Sequence, residues 1–334
     1  MIKLGLIGCG GIAANHLSAI HALSERCVLD AVFDEDQTNA QHFIKDATSV
    51  VCATSIEEFL RRDLDAVIIA VPNQFHVQYV SLAAQRGLAI LCEKPASDIK
   101  EGAYRMVEEV ERAKVVHMIG FVNRYRRGIS RLYQFINNGN LGTVFAYREI
   151  CTGARLADEA IGMEWRMRDA MAGSGALADF GSHSIDMATW MLESQCGPLL
   201  EIQGTLGTFV KRQNHYPAND DMAIVTGRFA SGALLSVLDS RVGPGTYQIE
   251  ILAARGYATF DLRDAQNFHI TWYQSNQTDD LLEISEEPSI SSDPFVIQLN
   301  HFLHAVETKT PVQPDFRTAY KIQRLIDVAA THGI

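Results

Sequence analysis

Lys94 stands in the triplet Glu93-Lys94-Pro95, directly after the apolar stretch Leu88 to Cys92. An ammonium at the carboxyl end of a strand can donate to an oxygen on which negative charge develops. Pro95 fixes the backbone after it and biases Lys94 to an extended conformation, in a turn that admits a cis bond. A second group lies in the segment GSGALADFGSHSID: Asp179, His183 and Asp186. Spacings of four and three put all of them on one face of a helix. A carboxylate beside an imidazole orients it, fixes its tautomer and suits it to work as a general base. The residues alone also allow a core histidine satisfied by Asp179 or Asp186, and a solvated Glu93–Lys94 pair in a loop. No further ligand cluster completes a metal site, and no metal is expected.

Groups of this kind need something to act on, and the start of the chain supplies a candidate. Ile2 to Ile7 reads as a buried strand, and Ala13 to Leu23 as a helix. Between them runs Gly8-Cys9-Gly10-Gly11-Ile12-Ala13, a G-x-G-x-x-A turn. Strand, glycine turn and helix in that order form a cradle for a dinucleotide pyrophosphate. Gly8 permits the tight turn, Gly10 and Gly11 let phosphates reach the backbone, and Ala13 packs helix on strand. The helix start offers N–H groups and a positive dipole end to the anion. A second strand, Val28 to Phe33, ends at Asp34, where a carboxylate can accept from ribose hydroxyls; the alternative is that Asp34 caps the next helix. Glu35 and Asp36 come next, with no Arg or Lys before Lys45. A 2′-phosphate would meet three carboxylates there, so NAD is expected over NADP.

The elements that position these residues are read from periodicity. Leu64 to Val71 is a continuous apolar strand, as a parallel sheet covered on both faces requires. A helix from Val77 to Arg86, a strand to Cys92, a helix from Lys100 to Ala113 and a strand from Val115 to Gly120 continue the alternation. Residues 1–122 therefore read as an N-terminal Rossmann domain, a doubly wound parallel sheet whose ligands bind off the strand ends. Those ends carry Val71, Pro72, Asn73 and His76 as well as Glu93, Lys94 and Asn123. Residues 123–334 read as a C-terminal α+β domain. A helix spans Ile129 to Asn137 and another about Gly175 to Leu192. Strands over 144–151, 202–210, 222–229, 233–241, 247–253, 257–262 and 268–273 give the pattern of a large, open, mainly antiparallel sheet. Its uncovered face is expected to pair copies of the chain into a dimer or tetramer. Helices over Pro294–Thr308 and 315–332 close the chain and are free to pack back on the first domain, and 278–292 reads as a polar surface loop.

Composition narrows the options. A chain of 334 residues has room for two domains, and 47% hydrophobic residues give each an ordinary core. A net charge of −11 argues against a nucleic-acid partner, and Arg124-Tyr125-Arg126-Arg127 is too short to track a phosphate backbone. No apolar run approaches the ~20 residues that span a bilayer. The chain begins directly with a strand, so a cytoplasmic protein is expected. The six cysteines are scattered without a C-x-x-C pair, as buried small residues rather than a zinc site or a disulfide frame.

Taken together, IGCGGIA, Asp34, VPNQFH (71–76), EKP (93–95), GFVNR (120–124) and GSGALADFGSHSIDMATWML (173–192) resemble the Gfo/Idh/MocA oxidoreductases over essentially the whole chain. The resemblance implies that Lys94, Asp179 and His183 form the reaction machinery, in the D-x-x-x-H spacing of inositol and sugar dehydrogenases. It implies a hydride transfer from a secondary alcohol of a cyclic polyol or sugar to NAD. Asn123 and Arg166 are then candidates for substrate or nicotinamide-ribose contacts, Arg166 standing in a Trp165-Arg166 pair. Two other readings stay open: a nucleotide-binding scaffold that has lost turnover, and an enzyme that uses tightly held NAD for redox-neutral sugar chemistry.

Overall fold

The computed structural model describes residues 1–45, 49–168, 173–212, 215–273, 278–280 and 291–331. The chain separates into two compact units, one of residues 1–122 with 289–323 and the other of residues 123–288 with 324–334.

The first unit is built on six parallel strands: β1 (Ile2–Ile7), β2 (Cys27–Phe33), β3 (Val51–Cys52), β4 (Ala66–Ile69), β5 (Ala89–Cys92) and β6 (His117–Ile119). They lie in the order β3-β2-β1-β4-β5-β6, so the winding reverses between β1 and β4. That reversal opens a crevice at the carboxyl ends of these two strands. Helices α1 (Ala13–Ala22), α2 (Gln37–Phe43), α3 (Ile56–Leu60), α4 (His76–Gln85) and α5 (Lys100–Ala113) connect the strands. Every residue of β4 and β5 is buried, which is why both segments read as unbroken apolar runs. Three elements give no clear periodic signal in the sequence: α2, the two-residue β3 and the five-residue α3.

The second unit holds α6 (Arg127–Asn137), β7 (Val144–Thr152), α7 (Ala176–Asp179), α8 (Gly181–Cys196), β8 (Leu199–Gly207), β9 (Met222–Phe229), β10 (Leu234–Ser240), β11 (Thr246–Ala253), β12 (Gly256–Asp261), β13 (His269–Trp272) and β14 (Thr278–Asp280). Among the described residues the sheet has eight strands, in the order β14-β13-β12-β11-β7-β10-β9-β8. It is mainly antiparallel, with β7 and β10 paired in parallel at its centre. The chain leaves β7, passes through α7, α8, β8 and β9, and returns alongside it. The expected surface loop at 278–292 needs correction at its start, because Thr278–Asp280 adds an edge strand to β13. Residues 281–290 lie outside the described residues.

Helix α8 lays Ile185, Met187, Ala188, Met191 and Leu192, none of them exposed, on the sheet face that carries Tyr147, Val225, Val237, Ile249 and Ile251. The opposite face leaves Ile224, Leu234 and Leu252 between 37% and 49% exposed. The chain ends in α9 (Pro294–Thr308) and α10 (Phe316–Thr331). The tail thus divides: 289–323 clusters with the first unit and only 324–334 with the second. No described helix is long and apolar enough to cross a membrane.

Candidate functional site

In the first unit the expected cofactor residues gather at the carboxyl ends of β1, β2, β4 and β5. Gly8 takes φ +92°, and a Cβ there would come within 2.6 Å of the Ala70 carbonyl oxygen. Only glycine fits that turn, on grounds of both conformation and space. Gly10 and Gly11 have nothing within 4 Å of where a Cβ would be, so the backbone of the turn is open to an incoming group. Helix α1 starts after Ile12 without a side-chain cap and with no acidic residue in its first turn. Its first N–H groups are therefore fitted to an anion such as a pyrophosphate.

Asp34 is aimed at this turn. Its Oδ2 accepts from the Cys9 N–H at 2.7 Å and its Oδ1 from the Asp36 N–H at 2.9 Å. It does not cap α2; Asp36 does, accepting from the Thr38 N–H at 2.9 Å. Glu35 accepts from the Tyr79 hydroxyl at 3.1 Å. Burial and then the Asp34 carboxylate push the Cys9 thiol up to about 12, so this cysteine stays a neutral part of the turn. All six cysteines are unbridged.

The turn 71–76 and the EKP turn support each other. His76 is completely buried. Its Nδ1 lies 2.9 Å from the Pro95 carbonyl oxygen and its Nε2 2.9 Å from that of Val71. The side chain of His76 is thus a brace within the turn, although the sequence suggests a direct cofactor contact. Asn73 is buried at the start of a 3-10 turn, over Pro72, whose carbonyl accepts from the Phe75 N–H at 2.9 Å. Glu93 is 8% exposed and its carboxylate lies 2.8 Å from His16 Nε2, so this side chain too faces inward. Lys94 is next to it, half-buried, with a cis bond to Pro95.

In the second unit the run 175–192 is not one helix. It divides at Phe180 into α7 and α8, and α8 continues to Cys196. The His183 N–H donates to the Phe180 carbonyl at 2.9 Å, while the Asp179 carbonyl accepts from Ser182 Oγ at 3.3 Å. Asp179 and His183, both half-buried, stand on either side of this division. The start of α7 is pinned by Asp220, whose carboxylate accepts from the N–H groups of Gly175 at 2.6 Å and Leu177 at 2.9 Å. The approach is so close that a Cβ on Gly175 would stand 1.9 Å from the Asp220 carbonyl oxygen.

Asp186 is held by Arg124. It accepts two bonds from Arg124, Nε at 2.8 Å and Nη2 at 2.5 Å, with the two side chains 1% and 9% exposed. The planar fork of a guanidinium matches the two oxygens of a buried carboxylate. Arg124 also lies 5.1 Å over the Trp190 ring, which stacks at 4.1 Å on Tyr133. Asn123, half-buried, accepts from Arg126 Nε at 2.9 Å. Arg166 belongs to a 3-10 turn over Trp165–Met167; its side chain lies outside the described residues.

Beneath α8 lie acids that motif and spacing do not single out. Ser184 donates to Asp239 Oδ1 at 2.7 Å, and Tyr147 donates to Glu149. Burial pushes the Glu149 carboxyl up to about 7 and Asp239 well above the ordinary range. The inward alternation of Tyr147, Glu149 and Cys151 along β7 is the signal that could have found Glu149.

Comparison with known proteins agrees with this anatomy. The profile described as "Oxidoreductase family, NAD-binding Rossmann fold" matches residues 2–121, and the GFO/IDH/MocA C-terminal domain matches residues 129–259. The chain belongs to the Gfo/Idh/MocA oxidoreductase family. It is 28% identical to levoglucosan dehydrogenase of Pseudarthrobacter phenanthrenivorans over 231 residues, 64% of this chain and 56% of that one. It is 26% identical to an inositol 2-dehydrogenase of Corynebacterium glutamicum over 196 residues, 58% of this chain and 55% of the relative. These matches span a little over half the length of either relative. Glucose-6-phosphate 3-dehydrogenase of Bacillus subtilis is 28% identical over 244 residues, 72% of this chain and 68% of the other. Among solved structures, levoglucosan dehydrogenase in complex with NADH and L-sorbose shares the fold at a TM-score of 0.89 and 22% identity, covering 99% of this chain and 96% of that one.

Proposed function

We propose that this protein is a cytoplasmic NAD-dependent dehydrogenase that oxidises a secondary alcohol of a cyclic polyol or sugar. The observation that carries the reading is Lys94, a half-buried ammonium on a turn braced from within, at the end of β5 in a unit whose glycine turn and Asp34 suit a dinucleotide. The named activities of the relatives, on levoglucosan, inositol and glucose 6-phosphate, agree with a carbohydrate or polyol substrate.

In this reading His183 takes the proton of the substrate hydroxyl, directly or through water. Lys94 donates to the same oxygen as alkoxide character develops. Asp179 orients the base or a neighbouring hydroxyl, and Asn123 and Arg166 hold substrate hydroxyls or the nicotinamide ribose. Gly8, Gly10, Gly11 and Ile12 present backbone to the pyrophosphate, Asp34 holds the adenosine ribose, and Val71, Pro72, Asn73, His76 and Glu93 shape the surface beneath it. The bound NAD supplies the hydride acceptor. The half-exposed apolar side chains on the open sheet face support a homodimer or homotetramer formed there.

The test is NADH formation on a panel of inositols, aldoses and sugar acids. Turnover of at least one of them, with net NADH, is expected. Activity without added cofactor and without net NADH would replace this reading by redox-neutral chemistry.

Cofactor choice has its own test. Three carboxylates around a 2′-phosphate disfavour NADP by upwards of ~1 kcal/mol. The double substitution Asp34→Ser and Glu35→Arg is expected to raise the NADP/NAD ratio of kcat/KM by about tenfold or more, the factor that ~1.4 kcal/mol carries. An unchanged ratio would show that Asp34 does not hold the ribose.

A further inference from the structure

We infer that His16, on the helix that opens at the glycine turn, is a positioning residue for Lys94, acting through the carboxylate of Glu93. The inference rests on the dehydrogenase reading above.

His16 lies on the stripe Ala13, His16, Ala19 and Ile20 that α1 turns toward the core. Its neighbours there are small or apolar, and its side chain is 1% exposed. Its Nε2 reaches Glu93 Oε1 at 2.8 Å, across 77 positions of sequence. The other oxygen of Glu93 accepts from the backbone N–H of Lys94 itself at 3.3 Å. One carboxylate therefore joins α1 to the residue that carries the ammonium. The space for it is tailored: a Cβ on Gly120 would stand 3.1 Å from Glu93 Cδ, Oε1 and Oε2 alike. The imidazole is fixed in turn by Phe295, edge to face at 5.3 Å between centroids and 89° between planes. On its other side the turn is held by His76 through the Pro95 carbonyl.

A core histidine that served packing alone would need only some acceptor. This one takes the carboxylate adjoining Lys94, and it does so from the first turns of the helix fitted to the pyrophosphate. A buried carboxylate deprived of its partner seeks another, and the backbone bonded to it moves with it. Displacement of a reacting group by about an ångström costs on the order of a hundredfold in rate.

The experiment compares His16→Leu and His16→Asn, which break the contact by an apolar and by a short polar side chain, with His16→Gln, which keeps an N–H within reach of Glu93. Three readouts are taken: NADH binding by fluorescence, steady-state kcat and KM on whichever polyol of the panel turns over, and amide hydrogen exchange over residues 93–97. Leucine and asparagine are expected to bind NADH like the parent protein, to exchange faster over 93–97 and to lose about a hundredfold in kcat, with KM changed far less. Glutamine is expected to restore most of both. Parent-like exchange over 93–97, or a parent-like kcat, in whichever of the leucine and asparagine variants folds would overturn the inference. So would a glutamine variant as impaired as these. Failure of the parent protein to bind NADH would instead overturn the dinucleotide reading on which the inference stands.

Discussion

Lys94→Ala is expected to lower kcat about a thousandfold on the best polyol or sugar while NADH still binds and the fold is kept. The size comes from the part proposed for the ammonium. A donor aimed at a developing oxyanion contributes about 10²–10³ in rate. Stability should change little, because Lys94 is only half-buried and the turn around it is held by the Glu93–His16 contact and by His76 on the Pro95 carbonyl. Lys94→Arg keeps the charge but spreads it over a longer planar fork, and recovers little. Steady-state kinetics beside an NADH titration and a melting curve separate these effects. Equal rates for the alanine variant and the parent would remove Lys94 from the chemistry.

The second large effect is on stability. Arg124→Ala strips both bonds from Asp186, a carboxylate 1% exposed, and withdraws the cation from the face of Trp190. Breaking a buried ion pair from one side costs about 3–5 kcal/mol, since the remaining charge has no water to turn to. In a unit of this size that lowers the melting temperature by roughly ten degrees or more. Replacing both partners, Arg124→Leu with Asp186→Leu, is expected to regain most of the loss, because an apolar pair leaves no buried charge behind. A single variant that melts like the parent would show the pair to be idle. A double variant that melts no higher than the single would show that the fork itself, and not relief of a buried charge, is what the fold needs.

Much of this architecture is legible in the residues. Helices α5 and α9 begin and end where periodicity and end signals put them; Asp293 caps α9 by accepting from the Phe295 N–H at 2.8 Å, with Pro294 in the first turn. Such signals are local, and so they survive in the sequence. Helix α3 carries one that is easily passed over: Ser55 accepts from the Glu58 N–H at 3.1 Å while Glu58 reaches back to the Thr54 N–H at 2.8 Å, a reciprocal arrangement like a capping box within Thr54–Glu58. The parallel pairing of β7 with β10 leaves no trace, because alternation records which face of a strand is buried and not which way its neighbour runs.

The site divides along the same line. The glycine turn and the EKP turn are continuous motifs and can be read directly. The Arg124–Asp186 pair cannot, since its members are 62 positions apart. His16 is hidden for the same reason: nothing beside it in sequence hints at Glu93. Contacts made through space, by residues each ordinary in isolation, are what a single sequence conceals.

The division of the tail has a consequence for how the molecule is made. Phe295 of α9 packs against His16 of α1, Arg26 reaches Glu307, and the Pro314 carbonyl accepts from the Ile119 N–H on β6, the edge strand of the parallel sheet. Residues 1–122 leave the ribosome long before these partners exist. While the large sheet is being synthesised, the nucleotide-binding unit waits with one helix face bare and one strand edge open, the surfaces on which nascent chains stick to one another. The order of synthesis and the order of completion are reversed: the parallel sheet is translated before the large sheet and sealed by helices translated after it.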